Sequence, residues 1–559
     1  MTNRIPRLAL QAAACIAISF SSCAAIGQTM TAQPATEQQV VIDPPAGPVA
    51  GHVLGELNVF KGIPYAMPPV GAARWTPPQP MPRWSDVRQA SEFGPACYQR
   101  PPRVQSIYSQ DLRPVSENCL TLNIWAPADA ENAPVFVWIH GGALSAGSSK
   151  EPLYDGARLA EQGIIVVSIN YRLGILGYLA HPRLSAESPD GVSGNYGLLD
   201  QIEALRWVQA NIASFGGDPT RVTIGGESAG GLSVMYLMTA PAARDLFSQA
   251  IAQSAYMVST PTLSRREHGE FAAEEIGTYV ATQLGARNLA ALRRMDAQTL
   301  TEGATAAGYA PFGTIDGHVL PRQLVDVFDR GEQAPVPLLA GFNSGEIRSL
   351  TMLAPPVPGS AVAYERVIRD RYGDLADDFL WLYPGDNMQE SIFATTRDAL
   401  YGWTAERLVR SQTGLGAASF LYLFDHGYPA ADNAGLHGFH ASELPYMFGT
   451  LERTPQFWPD IPETPAETGL SDVMIGYWAS FIRSGRPEAA NAPAWDEFGP
   501  DRRFMHFAET PQMSGPLMPG MFDLHERVVC RRKARGDTAW NWNVGLAAPP
   551  LGAPAAQCD

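Results

Sequence analysis

Charge is scarce in this chain, and positive charge most of all. Only 17% of the 559 residues are charged, with 40 Lys and Arg against 56 Asp and Glu. So low a charged fraction argues against long disordered charged tails. The net charge of −16 repels phosphate backbones and argues against a nucleic-acid partner. The one basic run, Arg531-Arg532-Lys533, reads as a solvated patch. No internal repeat is present. Beyond the N-terminus no run is long and apolar enough to span a bilayer. Cysteine is rare too, at six residues.

What is present begins with an export signal. Arg4 and Arg7 precede an apolar, Ala-rich stretch from Leu8 to Phe20, too short for a stable anchor, and Ala25-Ile26-Gly27 suits cleavage. Residues 1–27 therefore read as a signal peptide, and removing their two positive charges takes −16 to −18. The alternative is a weak lipobox, Phe20-Ser21-Ser22-Cys23, with Cys23 as lipid acceptor. Residues 28–46, polar and Pro-rich, read as a linker. Residues 47–535 read as the ordered domain and 536–559 as a tail. Cys97, Cys119, Cys530 and Cys558 lie outside the signal, and an even count in an exported chain points to two disulfides. Three pairings are possible; short loops favour Cys97–Cys119 and Cys530–Cys558. The chain is expected to be periplasmic or secreted, or an outer-membrane lipoprotein if Cys23 is acylated.

Val135 to Ile139 and Ile164 to Ile169 are continuous β-branched runs, suited to strands buried on both faces of a parallel sheet. Tyr196 to Ser214 reads as a helix, Val222 to Ile224 as a strand, and Val336 to Phe342 and Ser419 to Phe424 as further strands. The alternation predicts an α/β architecture. Residues 264–300 look helical and charged, as an insertion over the sheet.

Two motifs carry chemistry. Gly226-Glu227-Ser228-Ala229-Gly230 is a G-x-S-x-G elbow between the Val222–Ile224 strand and an apolar helical run from Leu232. A serine on that turn is strained, and flanking glycines leave room for the crossing chain. His140-Gly141-Gly142-Ala143-Leu144 follows the Val135–Ile139 strand, as a loop supplying oxyanion N–H groups does.

The segment from Phe215 to Gly230 resembles the type-B carboxylesterase and cholinesterase signature at every constrained position. Glu117-Asn118-Cys119-Leu120-Thr121-Leu122-Asn123 is similar to the family's second signature, with Asn118 where aspartate is usual. Gly62-Ile63-Pro64-Tyr65-Ala66, Asn170-Tyr171-Arg172-Leu173-Gly174 and Gly194-Asn195-Tyr196-Gly197 match further blocks. The likeness runs from Gly51 to Phe507.

The resemblance implies an α/β-hydrolase fold, a mostly parallel sheet flanked by helices with cap insertions. It implies Ser228 as nucleophile, Glu346 as acid and His440 as base. His440 opens a His-x-x-Glu-Leu-Pro-Tyr block that His437, its competitor, lacks. Around Glu346 the family usually has Asp before and Gly after; here Gly345 and Ile347 stand there. Asp316 and Asp425 are the alternative carboxylates. The implied oxyanion donors are the N–H groups of Gly142, Ala143 and Ala229, and Cys97–Cys119 resembles a family disulfide whose loop walls the active-site entrance. That loop holds Arg100, Arg103 and Arg113: a solvated loop, or a mouth favouring acidic esters. The expected activity is hydrolysis of a small-molecule carboxylic ester through an acyl-serine, with no metal or cofactor. Amide, carbamate or lactone hydrolysis, and a non-catalytic cholinesterase-like binding role, are the rivals. Substrate identity and oligomeric state are not legible.

Overall fold

The two longest β-branched runs sit at the centre of a large sheet. Ala133–Ile139 is buried throughout, with Val135, Val137 and Ile139 packing into one core and Phe136 and Trp138 into another. Alternate side chains thus feed opposite faces, so the sheet is covered on both sides, as continuous apolar strands require. The structure is a computed structural model and describes residues 38–101, 105–541 and 544–558. The expected signal peptide and the lipobox around Cys23 lie outside the described residues.

In spatial order the principal strands are Gln39–Ile42, Val49–Leu54, Leu57–Pro64, Thr121–Pro127, Ile165–Ile169, Ala133–Ile139, Gly217–Glu227, Gln249–Gln253, Leu338–Asn343, Ser419–Phe424, Phe504–Phe507 and Gln512–Ser514. From Ile165–Ile169 to Phe504–Phe507 every neighbouring pair is parallel; the outer pairs on the main path are antiparallel. The chain steps from Ala133–Ile139 to one side, then returns to the other side at Gly217–Glu227. That reversal opens a crevice at the carboxyl ends of these two strands, where open α/β sheets bind ligands.

The sheet is packed by Tyr196–Asn211 and Ala229–Thr239 in one core and by Pro465–Ser484 in the other. Ala273–Gln283, Leu289–Arg294 and Ala297–Ala306 build a separate small core with Ile175 and Leu176, and are the helical insertion read from 264–300. A further satellite, Ala361–Tyr372 with Ala376–Leu382, packs on Leu524 and Val528 and had no sequence signal assigned to it.

Three expectations need correcting. The described part of the 28–46 linker contains the strand Gln39–Ile42, so order begins before residue 47. Its Val40 and Ile42 pack on the main core and its backbone pairs with Val49–Leu54; the polar, Pro-rich composition of 28–46 as a whole hides this short apolar run. The run 531–533 is not a solvated patch. It lies on Met521–Arg535, where Arg531 is buried against Asp374 at 2.8 Å and Lys533 meets Asp326 and Asp329, each at 2.8 Å. The strand expected at Val336 starts at Leu338, after Pro335 and Pro337.

The structure joins Cys97 to Cys119 and Cys530 to Cys558. The described part of the tail packs on the body. Trp540 is buried, and Asn541 Nδ2 donates to the carbonyls of Met257 and Ala399 at 2.8 and 2.9 Å.

Candidate active site

The elbow forms where Gly217–Glu227 ends and Ala229–Thr239 begins. Ser228 between them has φ 56° and ψ −120°, a left-handed conformation that costs a non-glycine residue on the order of 1–3 kcal/mol. The surrounding contacts hold it: Ser228 N–H donates to the Gln253 carbonyl at 3.0 Å, and its own carbonyl accepts from Leu232 N–H at 2.9 Å. A Cβ at Gly226 would meet the Ile139 carbonyl oxygen at 2.7 Å, and one at Gly230 would overlap the same oxygen. Strand and helix therefore cross at backbone distance, and the hydroxyl is left at the crevice.

The loop after Ala133–Ile139 approaches from the neighbouring strand. Gly142, Ala143 and Leu144 all have positive φ, at 100°, 53° and 55°. The Gly142 carbonyl accepts from the N–H groups of Ser145 and Ala146, each at 3.0 Å. The turn is thus closed through its carbonyl, and among the described residues no backbone carbonyl accepts from the N–H of Gly142 or Ala143. Gly141 packs on the elbow; a Cβ there would lie 3.3 Å from Ser228 Cβ. Ala229 N–H, at the start of the helix, belongs to the same corner.

Glu346 follows Leu338–Asn343 across the Ser344-Gly345 turn and is fully buried. Its Oε1 accepts from Ser254 Oγ at 2.7 Å and from Asn343 N–H at 2.9 Å, and its Oε2 meets His440 Nδ1 in a close hydrogen bond. Gly345, where the family usually has aspartate, is required here: a Cβ would lie 2.6 Å from the Leu436 carbonyl, and Gly345 N–H donates to the Gly438 carbonyl at 2.7 Å. The acid and base segments therefore press directly on each other.

His440 is 6% exposed, with both ring nitrogens facing carboxylates. Nε2 stands 3.0 Å from Glu227 Oε1, in a charge contact rather than an aligned hydrogen bond. Among the described contacts, the His440 ring meets Glu346 and Glu227 rather than Ser228 Oγ. Burial alone would lower the imidazole pKa, but Glu227 and then Glu346 outweigh it and raise it to about 9. Burial pushes Glu227 up to about 8, against the pull of His440 and with help from Glu443 and Glu346. Glu443 is buried as well and raised to about 7; it is held by Gln253 Nε2 at 3.0 Å and Asn343 Nδ2 at 2.6 Å.

The competing assignments sit elsewhere. His437 is clasped by Asp432 at 2.9 Å and Asp425 at 3.2 Å on a partly exposed turn. Asp316 Oδ1 accepts three backbone N–H groups in its own turn. Asp425 also pairs with His506 at 2.9 Å, and His426 pairs with Glu467 at 2.8 Å. Among the described residues no group of three or more His, Cys, Asp or Glu is arranged to hold a metal ion, and no helix is long and apolar enough to cross a membrane.

Ser228, Glu227, His440, Gly142 and Ala143 line one cavity of about 740 Å³. Arg100 from the 97–119 loop lines it too; Arg113 is held by Asp111; Arg103 lies outside the described residues. Three contributions escaped the sequence reading. Ser254 donates to Glu346. Tyr108 contacts His440. A π-helical turn, Asp398–Gly402, presents Leu400 and Tyr401 to the cavity, with the Tyr401 ring centroid 5.5 Å from that of His440. Such turns concentrate at functional sites but carry no sequence mark.

The family model described as Carboxylesterase family matches residues 38–518. Fumonisin B1 esterase of Sphingopyxis macrogoltabida is 37% identical over 479 residues, covering 81% of this chain and 83% of its own. Para-nitrobenzyl esterase of Bacillus subtilis is 35% identical, covering 81% and 91%. Among solved structures, a PNB esterase superposes with TM-score 0.74 at 32% identity, covering 86% of this chain and 97% of that one. A Geobacillus stearothermophilus carboxylesterase gives 0.70 at 30% identity, covering 85% and 97%. The chain belongs to the carboxylesterase family and is a carboxylic ester hydrolase.

Proposed function

We propose that hydrolysis runs through an acyl-enzyme on Ser228, with His440 as general base, Glu346 as its orienting acid, and the N–H groups of Gly142, Ala143 and Ala229 as oxyanion donors. The observation that carries the proposal is the buried Glu346–His440 hydrogen bond opening onto the same cavity as Ser228. A serine hydroxyl is a poor nucleophile until a base takes its proton. For this Nε2 leaves Glu227 and meets Oγ. Oγ attacks the ester carbonyl, its proton passes to Nε2, and the carbonyl oxygen gains the charge that the loop N–H groups stabilise. The acyl C–O bond then breaks and His440 gives its proton to the departing alkoxide. In the second half water attacks the acyl-serine, His440 takes the water proton and returns it to Oγ, and the carboxylic acid leaves. One oxyanion donor is worth about 3 kcal/mol in such reactions. Labelling with a fluorophosphonate and mapping the adduct by peptide mass tests the reading. It predicts the adduct on Ser228 in wild type and none in Ser228→Ala.

The substrate is a bulky ester. A cavity of about 740 Å³ lies well within the range of sites that enclose drug-sized molecules. Leu350, Met352, Leu353 and Phe312 form an apolar stretch of its wall. The wall supplies room for a large alcohol or acyl group rather than for acetate alone. Fumonisin B1, named by a relative, is a first large ester to assay, alongside matched amide, carbamate and lactone substrates. The signal-like N-terminus and two disulfides support an exported, periplasmic or secreted enzyme; N-terminal sequencing and a lipid-adduct search at Cys23 test this.

A further inference from the structure

The loop closed by Cys97–Cys119 reaches both halves of the proposed machinery. On the oxyanion side, Gly147 N–H donates to Gln99 Oε1 at 2.9 Å and Gln99 Nε2 donates to the Gly147 carbonyl at 2.8 Å. On the floor, Gln110 Nε2 donates to Glu151 Oε2 at 2.7 Å. On the base side, the Tyr108 hydroxyl stands 2.8 Å from the main-chain oxygen of His440 and 2.7 Å from Ser349 Oγ. A phenol has one proton, and a carbonyl oxygen can only accept. The Tyr108 proton therefore goes to His440, and the Ser349 hydroxyl donates to Tyr108. Ser349 closes the single turn that starts at Glu346, so one side chain ties the segment of the acid to the backbone of the base.

That tie acts on a strained stretch. His437 and Ala441 both have positive φ, at 50° and 68°, a conformation that persists in non-glycine residues only when neighbours hold it. The Tyr108 ring is itself seated edge-on between His440 and Trp458, at centroid distances of 6.5 and 5.9 Å.

We propose that Tyr108 is a positioning residue for ester hydrolysis: delivered by the disulfide-closed loop, its hydroxyl holds the His440 backbone against the Glu346 segment and keeps imidazole and carboxylate in register. The proposal rests on the reading of His440 and Glu346 as base and acid. Tyr108→Phe removes only the hydroxyl and leaves the ring in its seat.

The test is kcat and KM for p-nitrophenyl acetate against pH, with thermal unfolding, on full-length Tyr108→Phe, Ser349→Ala, the double variant and His440→Ala. Tyr108→Phe is expected to lower kcat about tenfold or more, since small misplacements of reacting groups are costly, with KM changed by no more than about twofold. The limb over which kcat/KM rises with pH should move to lower pH, because a looser Glu346 contact raises the imidazole pKa less. Ser349→Ala should change both in the same direction, and the double variant should be no worse than Tyr108→Phe. An unmoved limb overturns the proposal, whether or not kcat falls, since a merely structural loss leaves the limb in place; so does a kcat within about twofold of wild type. An active His440→Ala would instead remove the base assignment itself, whereas a dead His440→Ala beside an unaffected Tyr108→Phe removes only the role of Tyr108.

Discussion

Replacing Glu346 by glutamine changes one atom of the side chain and should remove nearly all turnover. The geometry dictates which way the amide faces. At the Oε1 position the acceptor takes the Ser254 hydroxyl at 2.7 Å and the Asn343 N–H at 2.9 Å. The Asn343 N–H can only donate, so the amide oxygen stays there and the amide NH₂ turns to His440 Nδ1. Nδ1 must then accept, the ring proton moves to Nε2, and Nε2 can no longer take the proton of Ser228. The glutamine also carries no charge to stabilise an imidazolium. A tautomer fault of this kind costs about 10⁴-fold in kcat in a serine protease, or about 5 kcal/mol of barrier. Shape and both Oε1 hydrogen bonds survive, so the unfolding temperature should change little. The assay is kcat for p-nitrophenyl acetate with thermal unfolding monitored by circular dichroism. Asp316→Asn and Asp425→Asn are the matched controls, as both carboxylates are engaged in contacts away from His440. If Glu346→Gln stays near wild type while a folded control loses activity, the acid is elsewhere and the tautomer reasoning fails.

Four further outcomes follow from the structure. His440→Ala should abolish turnover and His437→Ala should be mild, because His437 is occupied by Asp432 and Asp425; the reverse ranking in kcat would move the base. In wild type kcat/KM should rise with pH, because only neutral imidazole accepts the serine proton, with the limb above the ordinary histidine value of about 6.5. Glu227→Gln removes a carboxylate that holds this pKa up, so its limb should shift to lower pH; a shift to higher pH would refute the electrostatic account. Peptide mapping without reduction should yield Cys97–Cys119 and Cys530–Cys558, and a Cys97–Cys530 peptide would contradict that pairing.

What could be read from sequence was what is contiguous in it. The elbow needs small residues on both sides of one serine, so Gly226, Ser228 and Gly230 announce themselves. The strands Ala133–Ile139 and Ile165–Ile169 are apolar at every position but one serine because both sheet faces are covered. Glu346 was harder, since its usual neighbours are replaced; the reason, the Leu436–Gly438 backbone lying against Gly345, is a contact across more than ninety residues of chain. Ser254, Tyr108 and the π-turn at Tyr401 also act on residues distant in the sequence, and nothing local marks them. Gln39–Ile42 is a different case: three of its four residues are β-branched and apolar, but the run is short and lies within a 28–46 stretch that is polar and Pro-rich as a whole.

Ser228→Ala tests the central claim most directly. Ala can replace serine at the elbow without adding bulk, so the fold should hold. The account predicts that ester turnover falls below ~1% of wild type at an unchanged unfolding temperature, since loss of a triad serine costs orders of magnitude. Retention of more than ~1% of turnover by the folded, purified variant would place the nucleophile elsewhere and contradict the account.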